Sequence, residues 1–225
     1  ERHLLITTIA PHLVRALPTL IPNYGGRDIY ISYAGLVAGD MLRRFAGTKR
    51  DTLPRARFVD AATALNMAPA LRTEGLTGGI VGWDGQVEDD ARLVVAVART
   101  AAAHGADILT HVDTTEIGDG RATLRDEEGE FTVECDNIIT CTGVWTEELN
   151  PGIKLSPSRG THLVVRSERL GHPTASLTVA IPEEFGRFVF AVPQPDGLTY
   201  VGLTDIGTDS LLPDPPEPDE EELAW

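Results

Sequence analysis

The 225-residue sequence holds two cysteines, two methionines and only 6% aromatic side chains. Two cysteines, Cys135 and Cys141, make neither a disulfide framework nor a zinc quartet. They suit a reducing compartment. Each is expected on or beside a strand, where a free cysteine packs as a small buried apolar group. No apolar run approaches the ~20 residues of a membrane-spanning helix. The chain starts at Glu1, without the charged region, apolar region and cleavage site of a secretory signal. Its natural start is therefore expected upstream. No G-x-G-x-x-G follows a strand, and no G-x-x-x-x-G-K-[ST], G-x-S-x-G, H-E-x-x-H or C-x-x-C occurs. Those absences remove the self-contained signatures of nucleotide binding, serine hydrolysis, zinc proteolysis and dithiol exchange. His3, His12, His104, His111 and His172 are scattered without metal-ligand spacing, so no metal site is expected.

What is present begins with charge. There are 34 acidic and 19 basic side chains, a formal charge of −15. A chain this acidic is a poor partner for a nucleic-acid backbone, and no nucleic acid is expected. The charge is uneven. Residues 205–225 carry eight acidic groups and no basic one, whereas residues 1–59 carry nine Arg or Lys against four Asp or Glu. The chain has a basic head and an acidic tail. That tail, Pro213–Glu222, reads by composition as a disordered interaction tail.

Periodicity predicts an amphipathic helix over residues 1–17, with Leu4, Leu5, Ile9, Leu13 and Leu17 on one face and a break or kink at Pro11. Residues 18–27 read as a loop from their Pro, Asn and Gly content. A helix follows over 28–45, with Asp28 as cap and Gly47 as stop, and a short one over 60–65. The Gly-rich stretch 74–86, with GLTGGIVG at 75–82, reads as a bend. Residues 89–104 form the strongest helical pattern, closed by Gly105. Strands are expected at 107–112 and 138–141. A hairpin is expected from 121–124 and 130–135, turning at 126–129. Short strands at 161–166, 176–181, 187–193 and 198–203 predict an antiparallel sheet, with 152–156 a further candidate.

Ordered motifs run through the chain: ERHLLITTIAPHLVRALPTLIP at 1–22, WDGQVEDDARLVVAVARTAAA at 83–103, IITCTGVW at 138–145, SRGTHLVV at 158–165, and RFVFAVP with VGLTD. Together they resemble one family, the FAD-dependent, quinone-reducing glycerol-3-phosphate dehydrogenases. Residues 1–22 are similar to that family's segment after the flavin cradle. Residues 83–103 resemble its D-D-x-R-L motif, and 138–145 its N-A-T-G-x-W strand end. Residues 158–165 resemble its K-G-S/T-H strand, and RFVFAVP with VGLTD its last strand pair. Arg159 departs from the family's usual Lys, Thr140-Cys141-Thr142 from Asn-Ala-Thr, and Leu203 from Thr. The family's dinucleotide fingerprint and phosphate-gripping Arg and Lys motifs are not in this chain, so it looks like an internal piece. The expected fold class is α/β (α+β): part of a glutathione-reductase-like FAD-binding domain plus an antiparallel-sheet substrate domain. The resemblance divides the chain into 1–17 and 87–150 for the cofactor part, and 18–86 and 151–225 for the substrate part.

The resemblance implies FAD as cofactor, glycerol 3-phosphate as substrate and quinone as electron acceptor. It implies a cytoplasmic enzyme, peripheral on the cytoplasmic membrane, and a homo-oligomer at full length. For the tail Pro213–Glu222 it implies instead a loop leading into a helix near Asp219, with its carboxylates at the helix N-terminus. It places Thr142 and Gly143 beside FAD, where a glycine at a strand end lets the backbone approach a ligand closely. It matches Val112 to a backbone group that meets the adenine. It makes His162 the candidate catalytic base, since oxidising a secondary alcohol needs an acceptor for the hydroxyl proton. Strand alternation puts His162 and Val164 on one face, Leu163 and Val165 on the other. Arg159 and Thr204 are the candidate substrate contacts. The basic stretch 43–57 is a candidate contact for an anionic membrane surface. Two other readings stay open: another flavin oxidoreductase of the amino-acid-oxidase-like superfamily, and a catalytically silent interaction module.

Overall fold

The computed structural model describes residues 4–26, 28–181, 187–202, 204–208, 217, 218, 220 and 223. The helix expected near Asp219, the side chain of Asp28 and the position of Leu203 lie outside them. The chain forms two compact units: residues 1–96 with 162–203, and residues 97–161 with 204–225.

The first unit is built on a seven-stranded sheet of order β2-β3-β1-β9-β10-β11-β8. The strands are β1 (Val14–Asn23), β2 (Arg57–Val59), β3 (Gly78–Val87), β8 (His162–Arg166), β9 (Ser176–Ala180), β10 (Phe188–Pro193) and β11 (Leu198–Gly202). Every pairing is antiparallel except β1 with β9. The expected sheet at the C-terminal end of the chain is therefore present.

The N-terminal reading is corrected. Residues 1–17 are not one helix: a helical turn spans Leu5–Ile9, stops before Pro11, and β1 starts at Val14. The expected loop over 18–27 is largely the continuation of β1. Its prolines fit the ladder for a physical reason. The Pro18 carbonyl lies 3.5 Å from Ser176 Oγ, so the backbone polar side of Pro18 faces β9, away from β3. Parallel pairing to β9 involves only Thr19 and Leu20. Pro22, four residues on, has the same orientation, so neither missing N–H is needed by β3.

Within the Gly-rich stretch, Glu74 and Gly75 do turn the chain. From Gly78 on, the reading is corrected in the same way: the stretch is β3, paired on both sides. Its glycines let neighbours close in. A Cβ on Gly79 would stand 2.7 Å from the Ile21 carbonyl oxygen, and one on Gly82 would stand 2.9 Å from Leu36 Cδ2. Leu36 belongs to helix α1 (Asp28–Phe45), whose range matches the sequence reading, with Gly47 at φ +73° after it. Helix α2 (Ala61–Met67) is capped by Asp60, whose Oδ1 accepts from the Thr63 N–H at 2.8 Å. Ala64 and Ala68 pack with Leu20, Val81, Ala175 and Leu177 as one core cluster. Leu20 and Val81 are register partners, while Gly82 pairs with Thr19. The two helices therefore cover opposite faces of β3. Helix α3 (Asp90–Ala103) is capped by Asp89, which accepts from the Arg92 N–H, and ends at Gly105 with φ +92°. Its Leu93 and Ala96 pack on Ala10, Leu13 and Val14.

The second unit holds a three-stranded meander, β4 (Asp113–Gly118), β5 (Arg121–Arg125) and β6 (Glu130–Glu134), and the small pair β7 (Ser158–Arg159) with β12 (Ile206–Gly207). The β5–β6 hairpin turns where expected, with Asp126 Oδ1 accepting from the N–H groups of Glu128 and Gly129. β4 was not expected. The strands expected at 107–112 and 138–141 do not form, and 152–156 forms none either. A strand exists only in a ladder, and neither 107–112 nor 138–141 has a partner among the described residues. Ile108, Leu109 and Ile139 stay exposed, Ile139 at 86%, and His111 turns the chain at φ +60°. Cys135 is only half-buried and Cys141 is exposed, which corrects their reading as buried packing.

Candidate functional site

His162 opens β8, the edge strand of the large sheet. Register places it directly opposite Gly202, with Val164 opposite Tyr200. The same row continues across the sheet, since Gly202 pairs with Phe190 and Phe190 with Thr178. His162, Gly202, Phe190 and Thr178 thus share one face. Gly202 has no side chain and sits at φ +146°, a conformation that L residues rarely adopt. The row thus sets an imidazole and Phe190 on either side of a buried glycine backbone. Tyr200 stands one row along, its ring centroid 6.4 Å from that of His162. The alternation predicted for His162 and Val164 is the one observed.

The row is chemically sparse. It offers one imidazole, an apolar ring at Phe190 and a buried glycine backbone between them. That suits proton removal from a small substrate held against the sheet. Phe190, Gly202 and Tyr200 were not among the sequence candidates. The alternation of RFVFAVP and LTYVG carries the signal, but only the register decides which alternate residues face His162.

The other candidates lie in the second unit. Thr204 is buried, and its Oγ1 accepts from the Thr161 N–H at 2.9 Å. It therefore anchors the backbone just before His162. Arg159 is half-buried in β7, opposite Ile206. Thr142 and Gly143 stand at a 3-10 turn, Gly143–Trp145, not at the end of a paired strand. The Trp145 N–H donates to the Thr142 carbonyl at 3.0 Å, and Thr146 Oγ1 to the Gly143 carbonyl at 2.7 Å. Gly143 has φ +54°, and a Cβ there would meet nothing within 4 Å. This leaves free space beside the backbone, as close approach by a flat ligand requires. Val112 is half-buried in an unpaired segment before β4, so its expected place in a strand is corrected. The structure thus joins Thr142 to Gly143 in one turn and gives His162 aromatic neighbours. Val112 stands apart in sequence and belongs to no ladder. Among the described residues, no group of three or more His, Cys, Asp or Glu side chains could hold a metal ion.

A second feature lies on α1. Tyr30, Ile31, Val37, Met41, Leu42 and Phe45 are exposed, Phe45 at 89%. Their spacing follows helical periodicity, so they form one outward apolar stripe. Arg44 is exposed in the last turn of α1, and Lys49 and Arg50 in the loop after it. The exposed Arg55 approaches Asp40, and Arg57 stands beside Phe58, whose ring lies near Tyr30 and Tyr33. Arg43 is not available with them. It is buried, donating from Nε to Asp40 Oδ1 at 3.1 Å and from Nη1 to the Thr48 carbonyl at 2.7 Å. No described helix is long and apolar enough to cross a membrane.

Comparison with known proteins gives consistent results. A family model described as FAD-dependent oxidoreductase matches residues 14–225. A Mycobacterium tuberculosis protein named glycerol-3-phosphate dehydrogenase 1 is 45% identical over 100% of this chain and 45% of its own length. The chain thus spans about half the length of that relative. The structure of glycerol-3-phosphate dehydrogenase from Bacillus halodurans complexed with FAD superposes with a TM-score of 0.69 at 23% identity, covering 93% of this chain and 38% of that one. L-alpha-glycerophosphate oxidase from Mycoplasma pneumoniae, with FAD bound, superposes with a TM-score of 0.63 at 17% identity, covering 92% and 55%.

Proposed function

We propose a function from one premise: the chain belongs to the family of FAD-dependent oxidoreductases. The protein that carries it oxidises glycerol 3-phosphate to dihydroxyacetone phosphate and passes the electrons to a quinone. One observation carries the reading: the 45% identity to a glycerol-3-phosphate dehydrogenase runs through the whole chain, including the stretch that sets His162 opposite Gly202. Residues 1–17 and 87–150 belong to the cofactor part in this reading, 18–86 and 151–225 to the substrate part.

FAD, when bound, supplies the acceptor for the two electrons. Gly143, with its open positive-φ turn, fits a backbone that lies against it, and Thr142 and Val112 complete this chain's share of the contact. An imidazole nitrogen of His162 takes the proton of the secondary hydroxyl as the C–O bond becomes a carbonyl. Phe190 and the sheet face exclude water on one side. Arg159 supplies positive charge for the substrate phosphate. Thr204 contributes by fixing the strand start beside His162.

The test is anaerobic mixing of the FAD-loaded, full-length protein with glycerol 3-phosphate, with glycine and proline as alternatives. Bleaching of the flavin absorbance by glycerol 3-phosphate alone is the expected result. Bleaching by an amino acid and not by glycerol 3-phosphate would overturn the substrate assignment.

The apolar stripe of α1 and the cations after it support a peripheral seat on an anionic bilayer, where a lipid-soluble quinone is reached. Apolar side chains enter the headgroup region while Arg and Lys meet acidic lipids. The family resemblance adds a cytoplasmic location, peripheral on the cytoplasmic membrane, and a homo-oligomer at full length. Co-sedimentation with phosphatidylglycerol vesicles is expected, with loss when Arg44, Lys49 and Arg50 are neutralised or when Leu42 and Phe45 become Ser. Unchanged binding by both sets of variants rejects the bilayer as occupant of this face.

A further inference from the structure

A general base works only when its nitrogen is aimed at the proton, and the surroundings of His162 do little to aim it. It lies on an edge strand and is exposed. Its cross-strand partner is a glycine. Among the described residues, no hydrogen bond holds the imidazole. Left alone, such a ring samples several rotamers, because the torsion that turns it is broad. One contact remains. The Tyr200 ring lies with its centroid 6.4 Å away and its plane tilted by 51°, within the range of tilted aromatic pairs. Tyr200 is 38% exposed and flanks His162 from the neighbouring strand. It sits between Val164 on β8 and Val192 on β10. Its outer side borders an open pocket beside Arg92, Gln194 and Asp196.

We propose that Tyr200 is a positioning residue for His162: its ring, not its hydroxyl, holds the imidazole on the sheet face beside Gly202. The proposal rests on the assignment of His162 as base. Tyr200 touches the base and acts through it. Phenylalanine is expected to serve in its place, because the contact is between ring systems. Leucine is not, because it fills space without the flat face and edge that fix the angle of the imidazole.

The test uses the full-length, FAD-loaded protein as wild type, Tyr200→Phe, Tyr200→Leu, His162→Ala and the double variant Tyr200→Leu/His162→Ala. Two quantities are read: the rate and pH profile of flavin reduction by glycerol 3-phosphate, and the NMR signals of the His162 ring protons, which sense the Tyr200 ring current. Tyr200→Phe is expected to keep the wild-type rate and signals. Tyr200→Leu is expected to reduce flavin about threefold to tenfold more slowly, with displaced His162 signals, a shifted acidic limb and unchanged flavin content. The double variant is expected to be no slower than His162→Ala, because a residue acting through the base has nothing to add once the base is gone. Unmoved His162 signals in Tyr200→Leu, or a rate loss that adds in full to that of His162→Ala, overturns the proposal and leaves the base standing. A His162→Ala protein with wild-type rate removes the base, and the proposal with it.

Discussion

The large sheet and the meander are both hydrogen-bonded ladders, and they differ in what their side chains cover. In the sheet, Leu20, Ile80 and Val81 are at most 1% exposed, and two helices close over β3. In the meander, every residue of β6 is exposed, Phe131 and Val133 included. Backbone pairing is thus common to both, while a core belongs to one. Net stabilisation comes mainly from buried apolar surface, since a hydrogen bond made in the fold replaces one made to water. The buried part of the sheet lies around β1 and β3, whereas β8, the edge strand that carries His162, is exposed at four of its five residues.

That contrast can be broken by mutation. Leu20→Ala should destabilise the protein most, by about 2–5 kcal/mol in urea unfolding, because it empties a fully enclosed site. Gly79→Ala should cost about 1–3 kcal/mol, since the added methyl meets the Ile21 carbonyl and Leu20. Asp60→Ala should lower the melting temperature by less, through loss of the α2 cap. The Thr63 side chain and N–H hold the Asp60 carboxyl below its usual 3.8. A depressed folded-state pKa adds stability above the unfolded value that is lost as pH falls through the folded one. The gap between wild type and Asp60→Ala should therefore be full at neutral pH and close on acidification below about 3.8. Ile139→Ser, at an exposed and unpaired position, should shift stability by less than about 0.5 kcal/mol. A cost at Ile139 equal to that at Leu20 would erase the contrast.

The same contrast explains what the sequence revealed. Helices α1 and α3 were legible because caps, glycine stops and periodicity act locally. The strands of the C-terminal third were legible because alternation and turn residues are also local. β1 and β3 were hidden: their prolines and glycines read as loop, and become strand only because β9, Ile21 and Leu36 lie where they do. The segments 107–112 and 138–141 show the reverse. Their composition favours strands, but composition supplies no ladder partner. At the site, His162 stood out by its chemistry and by resemblance. Gly202, Phe190 and Tyr200 did not, because a cross-strand neighbour is set by register, and no local signal states the register.

The proposed role of His162 makes the sheet face around Gly202 the place where the substrate proton leaves. Stopped-flow flavin reduction by glycerol 3-phosphate in His162→Ala, compared with wild type at equal flavin content, tests it most directly. Loss of a positioned base predicts a rate lower by about 100-fold or more. A His162→Ala protein that reduces its flavin at the wild-type rate would contradict the account.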